Sequence, residues 1–576
     1  MKLLLREYVA ALKERGELDA ILPDLLSELG YNVFSFPKRG TAQRGVDIGA
    51  ERADEDGIRK VYLFTLKQGD LTRQDWDGSP QAVRPSLNEI LDTYIPNRLP
   101  PHLRGLPIMI CLVFGGNVRE QVREQLTSFT TKHSTDRISF VEWNGDYLSG
   151  LLLTGLLREE LLPASMRSVF QKAVALVDEP HASIVHFRQL ATALHEAANA
   201  DAKVRVRSAR QLNICLWVLY VWAREAGNLE AAFLGSEIVV LAIWDLMRLH
   251  IGAQDKTAED MSRVVSEVIS LHITILGSLV DEKIMPHVAI RHGLTSAVPS
   301  HRAIDKNLAL FDMLGRIALA GIWLDWLRQR DIDIDKDALY QASRAYLRGG
   351  VALIENNPVL LLPATDHQAT DIALFLMLWL TSATAIAGSQ AWLVMIVERL
   401  EYTLHTHGQY PCTTSDYRDL AEHPRHRSDA YLEEMTSAST LVPLVAAWLA
   451  GLKDQQGFDQ LAKVVREKLQ HCTLQFWLPD SDTDANLFHP RKQHGRALCG
   501  LSLDEGANAF LDMVKAACHE DHGFNGLSAM QTGYWPILLL ACRHHRLPLP
   551  PHLWLPAFRE RGEPGPSEGS PSEQPE

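Results

Sequence analysis

The chain has 576 residues, 46% hydrophobic and 22% charged, a globular composition that excludes wholesale disorder and fibrous repeats. Its 57 Lys and Arg stand against 71 Asp and Glu, a net charge of −14. Any binding to nucleic acid or anionic membrane therefore needs a local basic patch. The 7 cysteines include no C-x-x-C pair, which argues against a disulfide framework or cysteine-rich zinc module and for a reducing, cytoplasmic setting.

The opening MKLLLREYVAALKERGE has only Leu3 to Leu5 as an apolar run before Arg6, so no signal peptide is expected. From Leu18 to Leu29 the apolar residues recur at helical spacing and stop at Gly30, a helix with its terminator. Tyr31 to Phe36 alternates like a strand. Val46 to Ala50 and Val61 to Leu66 are short β-type runs parted by the turn-like Asp54-Glu55-Asp56-Gly57. Pro107 to Phe114 is an apolar run bounded by Pro and Gly-Gly, the pattern of a strand buried on both faces. Val118 to Thr131 reads as a helix, Ile138 to Trp143 as a strand, and Leu148 to Leu161 as a further helix.

Beyond about residue 165 strand signals nearly vanish. Val204 to Ala226 and Leu229 to Leu249 form a helical hairpin broken at Gly227-Asn228, and Thr257 to Val280, Ile304 to Arg328 and Asp337 to Glu355 continue the helical pattern without a fixed repeat. Of the 13 tryptophans, 11 lie here and are assigned to packing. Ile372 to Val397 carries no charge and is long enough to span a bilayer. Its polar middle equally fits two buried helices meeting at Gly388-Ser389-Gln390, and no membrane is expected. The Pro/Gly/Ser/Glu-rich tail from Arg559 should be disordered. The expected organisation is thus an α/β domain over 1–165, an all-α region over 166–558 and a disordered tail over 559–576. Residues 1–165 hold 20 basic and 23 acidic residues, so the acidity sits mainly in the helical part.

The residues that carry chemistry lie in the α/β part. Asp47 falls in a short strand after a basic, Gly-containing loop, and Lys67 on the next strand. Antiparallel neighbours joined by a turn can set these side chains together, and Asp19 on the preceding helix can face the same point. A surface ion pair explains Asp47 and Lys67 as readily. No P-loop, H-E-x-x-H or G-x-S-x-G motif occurs, and the late His and Cys residues (His471 to His545) match no zinc module.

The order helix ending in Leu-Gly-Tyr, Gly-x-Asp strand, then a strand ending in x-Lys resembles the restriction-endonuclease-like (PD-(D/E)xK) nuclease fold, in the branch of type IV restriction enzymes and anti-phage effectors. The likeness covers residues 1–160 or so. It implies a mixed sheet flanked by helices and Mg²⁺- or Mn²⁺-dependent cleavage of DNA, or RNA, in bacterial defence. Asp19 then stands for the helix acid, Asp47 for the metal-ligand Asp and Lys67 for the motif lysine. Thr65 stands where the family usually has Glu or Gln, and its hydroxyl or its carbonyl would have to serve as the ligand. Carboxylates would hold the metal that polarises the phosphate, and the lysine would orient water and stabilise developing charge. Lys38, Arg39 and Arg44 would hold backbone phosphates. The helical region would sense, regulate or bind a protein partner, and an oligomer is compatible. The alternative is a catalytically degenerate domain that docks or binds nucleic acid within a multiprotein defence complex.

Overall fold

The structure is a computed structural model that describes residues 2–37, 44–54, 57–155, 164–198, 201–330, 334–381, 386–425, 428–489, 492–520 and 523–558. Lys38, Arg39 and the tail 559–576 lie outside the described residues. The chain divides into two compact units, 1–275 and 276–576.

The first unit opens with helix α1 (Lys2–Ala11), a π-helical turn (Glu14–Leu18) and helix α2 (Asp19–Glu28). Gly30, at φ +84°, ends α2, a conformation that costs glycine nothing. Strands β1 (Asn32–Ser35), β2 (Ile48–Ala53) and β3 (Arg59–Lys67) follow as an antiparallel meander. Helices α3 (Arg73–Asp77) and α4 (Val83–Glu89) then lead to β4 (Ile108–Phe114), and α5 (Glu120–His133) leads to β5 (Ile138–Trp143). Both later strands run parallel to their predecessors, giving a five-stranded mixed sheet in the order β1-β2-β3-β4-β5. The strands therefore lie in chain order, and the parallel pairs need the helical crossovers they have.

Side chains alternate across the sheet. Val61 and Leu63 of β3 join Ile108, Ile110, Leu112 and Phe114 of β4 beneath the crossover helices, which contribute Trp76, Leu87, Val122 and Leu126. On the opposite face Tyr62 and Phe64 meet Tyr31 and Trp143 in edge-on ring contacts. Burial on both faces explains why β4 reads as an unbroken apolar run.

The expected strands are all present, within a few residues of their ends. The helix expected from Val118 begins at Glu120, because Val118 forms a bridge with Leu71 and Arg119 N–H donates to Leu71 O. Helix α6 (Gly145–Gly155) closes the α/β part. Helices α7 (Ala164–Ala175), α8 (Pro180–Ala197), α9 (Ala202–Glu225) and α10 (Glu230–Met247) complete most of the first unit. The α9–α10 break falls at Gly227, at φ +70°.

Charge ties α9 to the start of the chain. Arg224 Nη1 donates to Glu17 Oε1 at 2.6 Å, and Arg224 Nη2 donates to Ala11 O at 3.3 Å. Glu17 is buried, and its other oxygen accepts from Lys13 N–H at 2.9 Å. Further along, buried Arg210 pairs with Glu28 at 3.0 Å and Asp24 at 3.4 Å. Burial pushes the Asp24 carboxyl up, against the pull of Arg210.

The second unit is helical, with Ala303–Gln329, Lys336–Asn356 and Ala369–Leu380 among its longer helices. Its described β structure is limited to two short strand pairs and one isolated bridge, Thr365 with Cys412. Trp323, Trp392, Trp448 and Trp554 are fully buried packing anchors. Inside it, Asp312 and Asp371 share Arg543 and Arg546, with Arg543 Nη2 2.6 Å from Asp312 Oδ1 and Arg546 Nη1 2.9 Å from Asp371 Oδ2. The uncharged stretch 372–397 is not one helix: Ala369–Leu380 ends before Ile386–Thr406 begins, earlier than the expected break at Gly388. Two other helical segments, Lys256–His287 and Ala303–Gln329, are long and apolar enough to cross a bilayer, but 56% and 67% of their apolar windows are buried within the chain.

Removing Arg224 would leave Glu17 buried with no counter-charge, a loss worth about 3 kcal/mol for a buried pair. Arg224→Ala is accordingly expected to lower the denaturant midpoint of the first unit, followed by circular dichroism, while Arg224→Lys recovers part of it. A shift under about 1 kcal/mol would mean that the pair contributes as little as an exposed one.

Candidate active site

Asp47 is held by two hydrogen bonds to β3. Its N–H donates to Phe64 O at 2.9 Å, and its Oδ2 accepts from Leu66 N–H at 2.8 Å. The ladder pairs Ile48 with Phe64, so one further step sets Asp47 opposite Thr65. Thr65 and Lys67 lie two apart on β3 and share a face. The expected placement of Asp47 beside the end of β3 is thus what the backbone produces.

Lys67 does not pair with Asp47. Its Nζ lies 3.0 Å from both carboxylate oxygens of Glu14, on the π-helical turn. The Lys67 and Glu14 side chains are 16% and 29% exposed, so water screens the pair only in part. Glu14 is the acid that sequence reasoning missed. It precedes Lys67 by 53 residues, and no periodicity or motif links them.

Asp19 begins α2, in the first turn where the helix dipole favours a carboxylate. Its charge reaches Asp47. The Asp47 carboxyl is pushed up from its ordinary 3.8 to about 6, first by burial and then by the negative charges of Glu14 and Asp19; the Leu66 N–H and Lys67 act in the opposite direction. The charges of Glu14, Asp19 and Lys67 are thus all felt at Asp47.

Among the described residues no group of three or more His, Cys, Asp and Glu side chains could enclose a metal ion. Mg²⁺ does not require such a cage, since it keeps several waters and uses one or two protein carboxylates. On those terms Asp47 with Glu14 or Asp19 would have to supply the carboxylates. Thr65 is only 3% exposed.

The site opens into a cleft of about 470 Å³ at the end of β3, lined by Lys13, Arg15, Gln68, Gln74 and Gln81 together with the Glu14–Lys67 pair. Of the expected phosphate-binding residues only Arg44 is described, and it lies elsewhere. Arg44 adopts φ 54° and its exposed guanidinium is 3.7 Å from Glu89 on α4. Asp70 turns away after Gly69, accepting from Asn117 N–H at 2.7 Å and pairing with Arg119 at 2.6 Å.

Comparison of the chain with protein-family models, with curated proteins and with solved structures gave no match.

The raised Asp47 carboxyl has a thermodynamic consequence. Between pH 3.8 and about 6 the folded chain holds a proton that the unfolded chain has released, so stability falls as pH rises through that window. Asp47→Asn keeps an acceptor for Leu66 N–H and removes the buried charge. Its melting temperature is expected to exceed that of the natural chain at pH 8 and to approach it at pH 4. Added Mg²⁺ should raise the melting temperature of the natural chain at pH 8 and leave the variant unmoved. A variant that is less stable at pH 8 would show that Asp47 is an ordinary structural carboxylate.

Proposed function

We propose that the first unit hydrolyses phosphodiester bonds in nucleic acid, as a member of the restriction-endonuclease-like nucleases. The observation that carries this reading is the Glu14–Lys67 pair on the wall of a polar cleft, with Asp47 held at the same end of β3 and subject to the charges of Glu14, Asp19 and Lys67. The chain order of the sheet, an antiparallel meander followed by two parallel crossovers, supports it.

Asp47 would hold Mg²⁺ or Mn²⁺ with Glu14 or Asp19, and the bound ion would polarise the phosphate and acidify its water. The two bonds from Asp47 to β3 fix its carboxylate, so no reorganisation is needed when charge develops. Lys67 carries the positive charge for the phosphate oxygens. Its bond to Glu14 holds the ammonium at the cleft, where it can donate to water or phosphate. Water adds to phosphorus, the ester P–O bond breaks, and the leaving oxygen takes up a proton. DNA is the preferred substrate class, and the helices beyond residue 165 would sense or bind a partner.

The decisive measurement is Mg²⁺-dependent cleavage of plasmid, single-stranded DNA and RNA. Asp47→Ala should abolish cleavage and weaken ion binding. Lys67→Ala should lower cleavage by roughly 100-fold or more while sparing ion binding. Full cleavage by either variant would remove the assignment.

Thr65 favours a second reading, a degenerate domain that docks rather than cuts. A hydroxyl buried at 3% exposure is a weaker ligand than the family's usual Glu or Gln. Thr65→Glu discriminates the two. In a metal site it should raise Mg²⁺ affinity while lowering stability without the ion, since it buries another carboxylate. In a docking module it should only destabilise.

A further inference from the structure

Lys13 and Arg15 flank Glu14 in sequence, and both are exposed. They line the cleft that holds Lys67. Many cations of the sheet region already have carboxylate partners: Arg59 with Glu51, Lys60 with Asp54, Arg119 with Asp70, Arg123 with Glu142. Among the described residues no carboxylate pairs with Lys13 or Arg15. Within the cleft, Asp75 is committed to capping α3, accepting from Thr72 N–H at 3.0 Å, and Glu14 is committed to Lys67. Two cations without counter-charges therefore remain on one wall of a chain whose net charge is −14.

The rest of the lining defines the ligand class. Gln68, Gln74, Gln81 and Ser79 offer neutral hydrogen-bonding groups, and no aromatic ring is among the described lining residues. A cleft without a stacking platform grips a nucleic acid by its backbone rather than its bases.

We infer that Lys13 and Arg15 bind backbone phosphates next to the one that reaches Lys67, so that the strand enters along the π-helical turn. This rests on the nuclease reading above and assigns the principal phosphate contacts to the turn rather than to the loop bearing Arg44. Each phosphate contact releases a counterion, so two contacts contribute a salt slope of about 2 and roughly 10- to 100-fold in affinity at 0.1 M salt.

The test uses the full chain carrying Asp47→Ala, which binds without cutting, and the same chain with Lys13→Gln and Arg15→Gln added. Both are titrated against a short fluorescent DNA duplex and its single strand across a range of salt. The expected result is a 10- to 100-fold loss at 0.1 M salt in the second chain, on either probe, with the salt slope shallower by about 2. Both substitutions lie on exposed side chains, and matching melting curves would exclude unfolding as the cause. Equal affinity and equal slope in the two chains would overturn this inference while leaving the nuclease reading intact. Failure of the Asp47→Ala chain to bind either probe at low salt would remove both.

Discussion

Strand β3 is hydrogen-bonded along both edges, antiparallel to β2 and parallel to β4, and the candidate site depends on that constraint. A strand bonded on both sides cannot slip by one residue without turning every side chain to the other face. Val61 and Leu63 are committed to the crossover-helix core, and Tyr62 and Phe64 to the aromatic face. The direction of Lys67 follows. Asp47 inherits the same precision because both its bonds are to the β3 backbone.

The π-helical turn lacks such a ladder and is held by charge. Glu17 accepts from Lys13 N–H with one oxygen and from Arg224 with the other. Arg224 belongs to α9, far along the chain, so part of the helical region helps to position Glu14 against Lys67. The helices up to residue 275 share one compact unit with the sheet, although their composition sets them apart from it.

Electrostatics gives the site its character. Much of the charge in the sheet region is neutralised locally in pairs. At the end of β3 the balance is broken in two directions: the negative charges of Glu14 and Asp19 act on buried Asp47, and Lys13 and Arg15 line the nearby cleft without carboxylate partners among the described residues. Placing an acid where burial and like charge raise its pKa costs stability, a cost that clusters at functional sites and that the structural carboxylate of Asp24 also bears.

The sequence by itself determined the elements that bury apolar surface with a clear period: α2, the strands from β1 to β5, the α9–α10 hairpin and the helical character of the later chain. Local patterning suffices there because helix and strand periods differ and Gly30 and Gly227 punctuate them. It also brought Asp47 beside β3 and placed Lys67 on that strand, although Asp47 lies just ahead of β2 rather than in it, since a short meander leaves little choice of neighbour. Tertiary structure alone decided that Lys67 pairs with Glu14 rather than Asp47, that Thr65 is buried, that Asp70 turns toward Arg119, and that the first compact unit extends to residue 275. Each of these depends on a contact between distant positions, such as Glu14 with Lys67 or Glu17 with Arg224. Charged side chains carry no periodic signal of their partners, so only the packed chain brings those charges together.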